Sequence, residues 1–280
     1  MTVATLKEVL TSALQTKSAV AGLVVLGWED ARAFVEAAEE TGLPVILQAG
    51  PGARAYMPIA IWGKMFRILA EQAKVPIVCH VDHANTVDEC RAGIDAGFSS
   101  VMIDGSRLSL EENIELTNKV MELAKKSGVS VEGEIGFVGY NKGEASAMTS
   151  QEDAARFDRE TGVDALAISV GNLHLSTEKE ATIDFDRLSE IEAVTSAPLV
   201  LHGGSGIPVA TRQKLARGTR VKKFNIGTEL RQAFGTALRQ SIADQPGEFD
   251  RIKLLKPSIP AMRDAAQLSI ISVSGRFEDT

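Results

Sequence analysis

Basic clusters, long apolar runs and cysteines are all scarce in this chain of 280 residues, and each scarcity removes a class of function. A net charge of −7 with no basic cluster argues against nucleic acid or an anionic membrane as the partner. No apolar run approaches the ~18 to 20 residues that a membrane helix needs. The opening MTVATLKEVLTSAL lacks both a basic start and a continuous apolar stretch, so it reads as an amphipathic helix rather than a signal peptide. Cys79 and Cys90 are the only cysteines, without metal-like spacing, and read as reduced buried thiols in a cytoplasmic protein. Linkers, internal repeats and low-complexity stretches are missing too, so residues 1–280 are expected to form one domain.

What is present is regular. Eight apolar runs read as strands: 20–26, 44–48, 76–80, 100–103, 130–135, 165–170, 198–201 and 221–226. Each is followed by a segment of helical period, at 29–41, 58–73, 86–96, 110–127, 150–161, 185–195, 208–217 and 229–243. Thr86 with Glu89 and Ser150 with Asp153 resemble capping boxes, and Gly42, Gly97, Gly128 and Gly162 follow helix ends. The strands are nearly continuous in apolar character, as in a parallel sheet covered on both faces. Eight such units predict an α/β protein with a (β/α)8 TIM barrel, a doubly wound open sheet being the other topology that the pattern admits. An extra N-terminal helix at 6–16 is expected to cover the barrel bottom, and a C-terminal helix at 260–271 to close the chain. One long connection, 136–149 (GFVGYNKGEASAMT), is a candidate mobile lid.

Histidine is the second scarcity that matters. Of four in the chain, His83, His174 and His202 each stand just past a strand run, in VPIVCHVDH, VDALAISVGNLH and APLVLHGGSG. Barrel enzymes carry their chemistry at the C-terminal ends of strands, so three imidazoles would meet on one rim. Three neutral imidazoles with one open position describe a catalytic zinc site. Asp104 and Glu134 could hold the metal in a second position or orient the imidazoles. Glu132 and Glu134 lie two residues apart and so share a face. His80, three residues before His83, is expected to point to the opposite face, as core or as support for the ligands. The turns in LHGGSGIP and NIGTEL precede helices, and backbone N–H groups at helix starts attract anions.

These segments also carry a family pattern. HVDHANTVDECRAGIDAGFSSVMIDGS, VEGEIGFVG, HGGSGIP, NIGTELR and KPSIPAMRDA make the chain resemble, nearly end to end, the class II, zinc-dependent ketose-bisphosphate aldolases. The resemblance implies His83, His174 and His202 as zinc ligands, with Asp104 and Glu134 at an alternative metal position. It implies Asp82 as the acid serving the aldehyde oxygen. Gly203, Ser205, Asn225 and Thr228 would form the pocket for a dihydroxyacetone phosphate half. It further implies Zn2+ as cofactor, with a monovalent cation admitted beside it, and a homodimer or homotetramer acting on a sugar or sugar phosphate.

Departures from the family pattern fall on substrate positions. Leu175 and Glu178 stand where the family has Gly and a phosphate-binding Lys. VVLGWE replaces an Asn-rich segment, and Gly50 replaces a Ser. Lys142 aligns with the family's general-base Glu, which leaves Glu144 as the candidate base. The expectation is an aldolase whose substrate is not fructose 1,6-bisphosphate. A metal-dependent isomerase or epimerase and an inactive metal-binding relative stay open on these residues alone.

Overall fold

The computed structural model describes residues 2–139, 146–172 and 181–275. In chain order the elements begin β1 (Val3–Ala4), α1 (Leu6–Gln15), β2 (Val20–Val24), α2 (Trp28–Thr41), β3 (Val45–Ala49), α3 (Pro51–Tyr56), α4 (Ile59–Gln72), β4 (Ile77–Ala84), α5 (Val87–Ala96), β5 (Ser100–Ile103) and α6 (Leu110–Ser127). They continue β6 (Ser130–Ile135), α7 (Gln151–Thr161), β7 (Ala165–Ile168), α8 (Phe185–Glu192), β8 (Leu199–Leu201), α9 (Val209–Gly218), β9 (Val221–Ile226), α10 (Thr228–Asp244), α11 (Arg251–Leu255) and α12 (Ser258–Val273). Strands β2 to β9 are all parallel, and the β4–β5 pairing closes them into a ring. The fold is the expected (β/α)8 barrel. No helix among the described residues is long and apolar enough to cross a membrane.

Strand alternation sorts the side chains into two cores. Residues such as Leu23, Leu47, Val81, Ile103, Leu166 and Leu201 face the helices and join the large outer core. Their neighbours face inward, and at the bottom of the barrel these are Val20, Ile46, Val78, Ala165, Ala167 and Val200. Helix α1 plugs that end with Leu6, Val9, Leu10 and Ala13, an i, i+3, i+4, i+7 stripe that is buried throughout. Burying each large aliphatic there contributes roughly 1.5–3 kcal/mol. Higher in the barrel the inward positions become polar, so the bottom is a stability layer and the top is left for chemistry.

The predicted helix stops are observed: Gly42, Gly97, Gly128 and Gly162 adopt left-handed conformations with φ of 66°, 98°, 67° and 61°. Thr86 and Ser150 do accept from the backbone N–H of Glu89 and Asp153. The complete reciprocal boxes are elsewhere, at Thr5 with Glu8 and Ser109 with Glu112. Three short elements were not anticipated. Strand β1 pairs with the start of β4, α3 follows β3 directly, and α11 precedes α12. The connection from β7 to α8 is as long in sequence as the one from β6 to α7, so the chain has two long connections rather than one.

Candidate active site

Strand β4 is the element that builds the site, and it does so by breaking its own alternation. Val81 pairs with Val101, but the next pairing is Ala84 with Ile103, so a bulge occupies Asp82 and His83. His83 sits at φ +50°, a left-handed conformation that costs an L-residue roughly 1–2 kcal/mol. A bulge re-aims a side chain, and here it brings two consecutive residues to the same cavity. Arg54 of α3 holds the irregular backbone in place. Its Nη1 donates to the carbonyls of Ala49 (2.6 Å) and Asp82 (2.5 Å), and its Nη2 to that of His83 (3.0 Å).

The bulge also corrects one expectation. Strict alternation places His80 and His83 on opposite faces. In the structure His80 is fully buried inside the barrel, its Nδ1 2.8 Å from Ser100 Oγ and its Nε2 3.4 Å from Lys223 Nζ. His83 departs from the pattern, not His80.

His83 and His202 converge, with ring centroids 4.6 Å apart at 75°. His83 Nδ1 lies 2.8 Å from Asp104 Oδ2 and 3.6 Å from Glu134 Oε2, while His202 Nδ1 lies 3.7 Å from the same Glu134 oxygen. Two sets of potential ligand atoms result: Asp82, His83 and His202, and His83, Asp104 and Glu134. Glu134 Oε2 is buried and accepts no hydrogen bond from the described residues. A buried carboxylate oxygen aimed between two imidazoles suits a cation, so the donor set of nitrogen and carboxylate oxygen fits a divalent metal.

The electrostatics reflect this crowding. Burial pushes Glu134 up to about 8, with Asp104 adding to the shift. Burial alone would lower His83, but the charge of Asp82, the hydrogen bond to Asp104 and the charge of Glu134 together raise it to about 10. Burial favours the protonated form of Asp104 too, yet His83 and Ser106 outweigh it and hold that carboxyl well below its usual range.

Asp82 is oriented by two amides. Gln48 Nε2 donates to Asp82 Oδ1 at 2.8 Å and Asn225 Nδ2 to the same oxygen at 3.1 Å. Asp82 Oδ2 lies on the side of Gly50, which also lines the cavity. Gly22 makes the arrangement possible, because a Cβ there would stand 1.6 Å from Gln48 Oε1.

Below the rim runs a closed array of charges. Lys223 Nζ donates to Glu132 Oε2 at 2.5 Å, and Glu132 Oε1 lies 3.1 Å from His202 Nε2. With Nε2–H donating to Glu132, the Nδ1 of His202 is the atom that faces Glu134 and the cavity.

The predicted anion-binding turns lie together. Gly203, Ser205, Asn225 and Thr228 all line a cavity of about 440 Å³ that also contains Asp82, His83, Asp104 and Glu134. Ser205 Oγ accepts from the N–H groups of Gly227 (3.2 Å) and Glu229 (3.4 Å), bracing the turn that begins α10. Asn172 has a structural place: its Nδ2 donates to the carbonyl of His202 at 3.0 Å. His174, Leu175, Glu178, Lys142 and Glu144 lie outside the described residues. Gln48, Arg54, Arg107, Lys223 and Arg231 were not singled out from the sequence. The only signal for them was charged or amide residues within or next to strand runs.

The sequence model of class-II fructose-bisphosphate aldolases matches residues 4–275. The chain belongs to that family. It is therefore an enzyme of a metal-dependent aldehyde-lyase type. It is 36% identical over 285 residues to the fructose-bisphosphate aldolase of Geobacillus stearothermophilus, covering 99% of this chain and 97% of that one. It is also 36% identical to the probable fructose-bisphosphate aldolase of Bacillus subtilis, covering 94% of this chain and 95% of the relative. Among solved structures, the YdjI aldolase of Escherichia coli K12 superimposes with a TM-score of 0.85 at 31% identity, covering 97% of both chains.

Proposed function

We propose that this aldolase is zinc-dependent and cleaves or forms a ketose or ketose phosphate other than fructose 1,6-bisphosphate. The carrying observation is the pairing of Asp82 with His83: one oxygen of the carboxylate is fixed by Gln48 and Asn225, and the imidazole beside it belongs to the ligand cluster. The ion would be held by His83, His202 and His174, with Asp104 and Glu134 at an alternative position. When bound, zinc supplies a Lewis acid that stabilises the negative charge left beside a carbonyl as the carbon–carbon bond breaks.

The protein's own groups handle protons and position. Cleavage turns a C–OH into an aldehyde C=O, so Asp82 takes that proton in cleavage and returns it to the aldehyde oxygen in condensation. Gln48 and Asn225 keep its Oδ1 in place, and Oδ2, on the side of Gly50, is the oxygen proposed for the transfer. Gly203, Ser205, Asn225 and Thr228 receive the anionic end of the ketone half, where backbone N–H groups before α10 favour negative charge. Glu144 is the proposed base for the C–H proton. The substrate reading rests on Glu178, Leu175, Gly50 and Lys142, which replace family residues that contact substrate. The same reading extends to a homodimer or homotetramer. Phe249, just before α11, and Ile252, within it, are 92% and 72% exposed and give apolar surface for such an assembly.

Metal-stripped and zinc-reloaded protein should be compared on a panel of ketoses and ketose phosphates. The proposal expects cleavage that returns with zinc and a preferred substrate other than fructose 1,6-bisphosphate. Cleavage of fructose 1,6-bisphosphate at rates typical of the family overturns the substrate half. Full activity in stripped protein overturns the metal half.

A further inference from the structure

The two turns proposed for the ketone half come from different elements, and one buried guanidinium holds both from behind. Residues 203–206 follow β8, and 225–228 run from the end of β9 into α10. The turns approach as closely as glycine allows: a Cβ on Gly204 would stand 2.8 Å from the Asn225 carbonyl oxygen. On the cavity side Ser205 joins them, its Oγ accepting from the N–H groups of Gly227 and Glu229. Both bonds use Ser205 as an acceptor, so its hydroxyl proton is what it offers the cavity it lines.

On the opposite side is Arg212, in the first turn of α9 and 1% exposed. Its Nε donates to the Ile207 carbonyl at 2.9 Å, just past the first of the two turns. Its Nη1 and Nη2 donate to Glu229 Oε1 (2.9 Å) and Oε2 (3.2 Å), in the first turn of α10. A planar fork bonded through three nitrogens to two segments fixes their separation, which a single ammonium group cannot do. The pair is tied to α12 as well: Arg212 Nη1 donates to Ser272 Oγ at 3.3 Å, and Ser269 Oγ donates to Glu229 Oε1 at 2.9 Å. Charge adds to geometry. Glu229 directly follows Thr228, so its carboxylate stands one residue from a group proposed to receive an anion. Unneutralised, that carboxylate would oppose the anion across a wall of low dielectric. Paired with Arg212, it stays out of the cavity lining.

We propose that Arg212 is a positioning residue for the ketone half: it fixes the two turns relative to each other and neutralises Glu229, so that an anionic group can enter between them. Arg212 acts through Ile207 and Glu229 and is not itself part of the cavity lining. This rests on the aldolase reading above.

The experiment compares zinc-loaded wild type with Arg212→Met, Arg212→Lys and the double variant Arg212→Met with Glu229→Gln. Proton exchange from dihydroxyacetone phosphate in deuterated water gives KM and kcat. Calorimetric titration with inorganic phosphate gives an affinity without turnover. Arg212→Met should raise KM and weaken phosphate binding roughly tenfold or more, with kcat and zinc affinity within about threefold of wild type. Arg212→Lys keeps the charge, loses the fork and should fall between. The double variant strands no buried carboxylate, so it carries the test if Arg212→Met does not fold. It should recover stability and still raise KM at least about threefold, because Ile207 and α10 are no longer held together. A role in stability alone lowers the melting temperature and the active fraction, hence kcat, and leaves KM and phosphate affinity unchanged. Folded variants with both quantities within twofold of wild type overturn the proposal. Wild type that binds phosphate but exchanges no proton, with binding lost in the variants, would sink the aldolase reading and leave the positioning role standing. Wild type that does neither overturns both.

Discussion

Lys223 Nζ donates to Glu132 Oε2 at 2.5 Å in the closed interior of the barrel, where neither side chain has any exposed surface. Glu132 carries the effect upward, because its other oxygen meets His202 Nε2. Removing the cation should strand a buried carboxylate, which costs about 3–5 kcal/mol. Lys223→Met is expected to lower the melting temperature and to weaken divalent-metal affinity roughly 10–100-fold, the range for partners that orient a ligand. Glu132→Gln combined with Lys223→Met removes both charges and should recover most of the stability but not the metal affinity. Chelator competition and thermal melts on the three proteins separate the two effects, and unchanged affinity in all of them contradicts the orienting role.

Arg54 is expected to matter beyond its location. It supplies three hydrogen bonds to the carbonyls of Ala49, Asp82 and His83, and a charged donor contributes about 1.5–3 kcal/mol per bond. Arg54→Met should relax the left-handed backbone at His83, with a fall in both melting temperature and metal affinity. An equally stable variant that binds metal as wild type does would show that the bulge needs no clamp.

Metal loading should release protons. In the metal-free chain His83, raised to about 10, is protonated at pH 7, and most of Glu134, raised to about 8, is too. Both groups bind a cation only after losing that proton, so affinity should strengthen as pH rises from 6 towards 9. Calorimetry in two buffers of different ionisation enthalpy measures the protons released. Affinity that is flat over this range speaks against both groups as ligands.

The bottom of the barrel should be separable from the top. Leu10 is fully buried in the plug formed by α1, and Leu10→Ala is expected to destabilise by about 2–5 kcal/mol. Denaturant unfolding measures the loss, and metal affinity should stay at the wild-type value. A matching loss of affinity would couple the two layers.

The barrel was legible because its strands are covered on both faces, which writes them as continuous apolar runs closed by glycine stops such as Gly97 and Gly162. His83 and His202 were legible for the same reason, standing where those runs end; His174 lies outside the described residues. His80 lies buried, as its reading as core or support expects, whereas the facing of His83 was misread because a bulge leaves no mark in a two-residue pattern: its left-handed backbone is held by Arg54 from another element. Lys223 and Glu132 were invisible as a pair because 91 residues separate them and only closure of the barrel brings them together. Helix α3, PGARAY, is one short turn-and-a-half with no apolar period to announce it.

The central claim is metal-dependent activation of a ketone half by this site, and isotope exchange measures it most directly. Dihydroxyacetone phosphate in deuterated water, with metal-stripped and zinc-reloaded protein, should exchange the proton on the carbon beside its carbonyl only in the reloaded sample. Exchange that is equally fast without metal, or absent in both samples, would contradict the account.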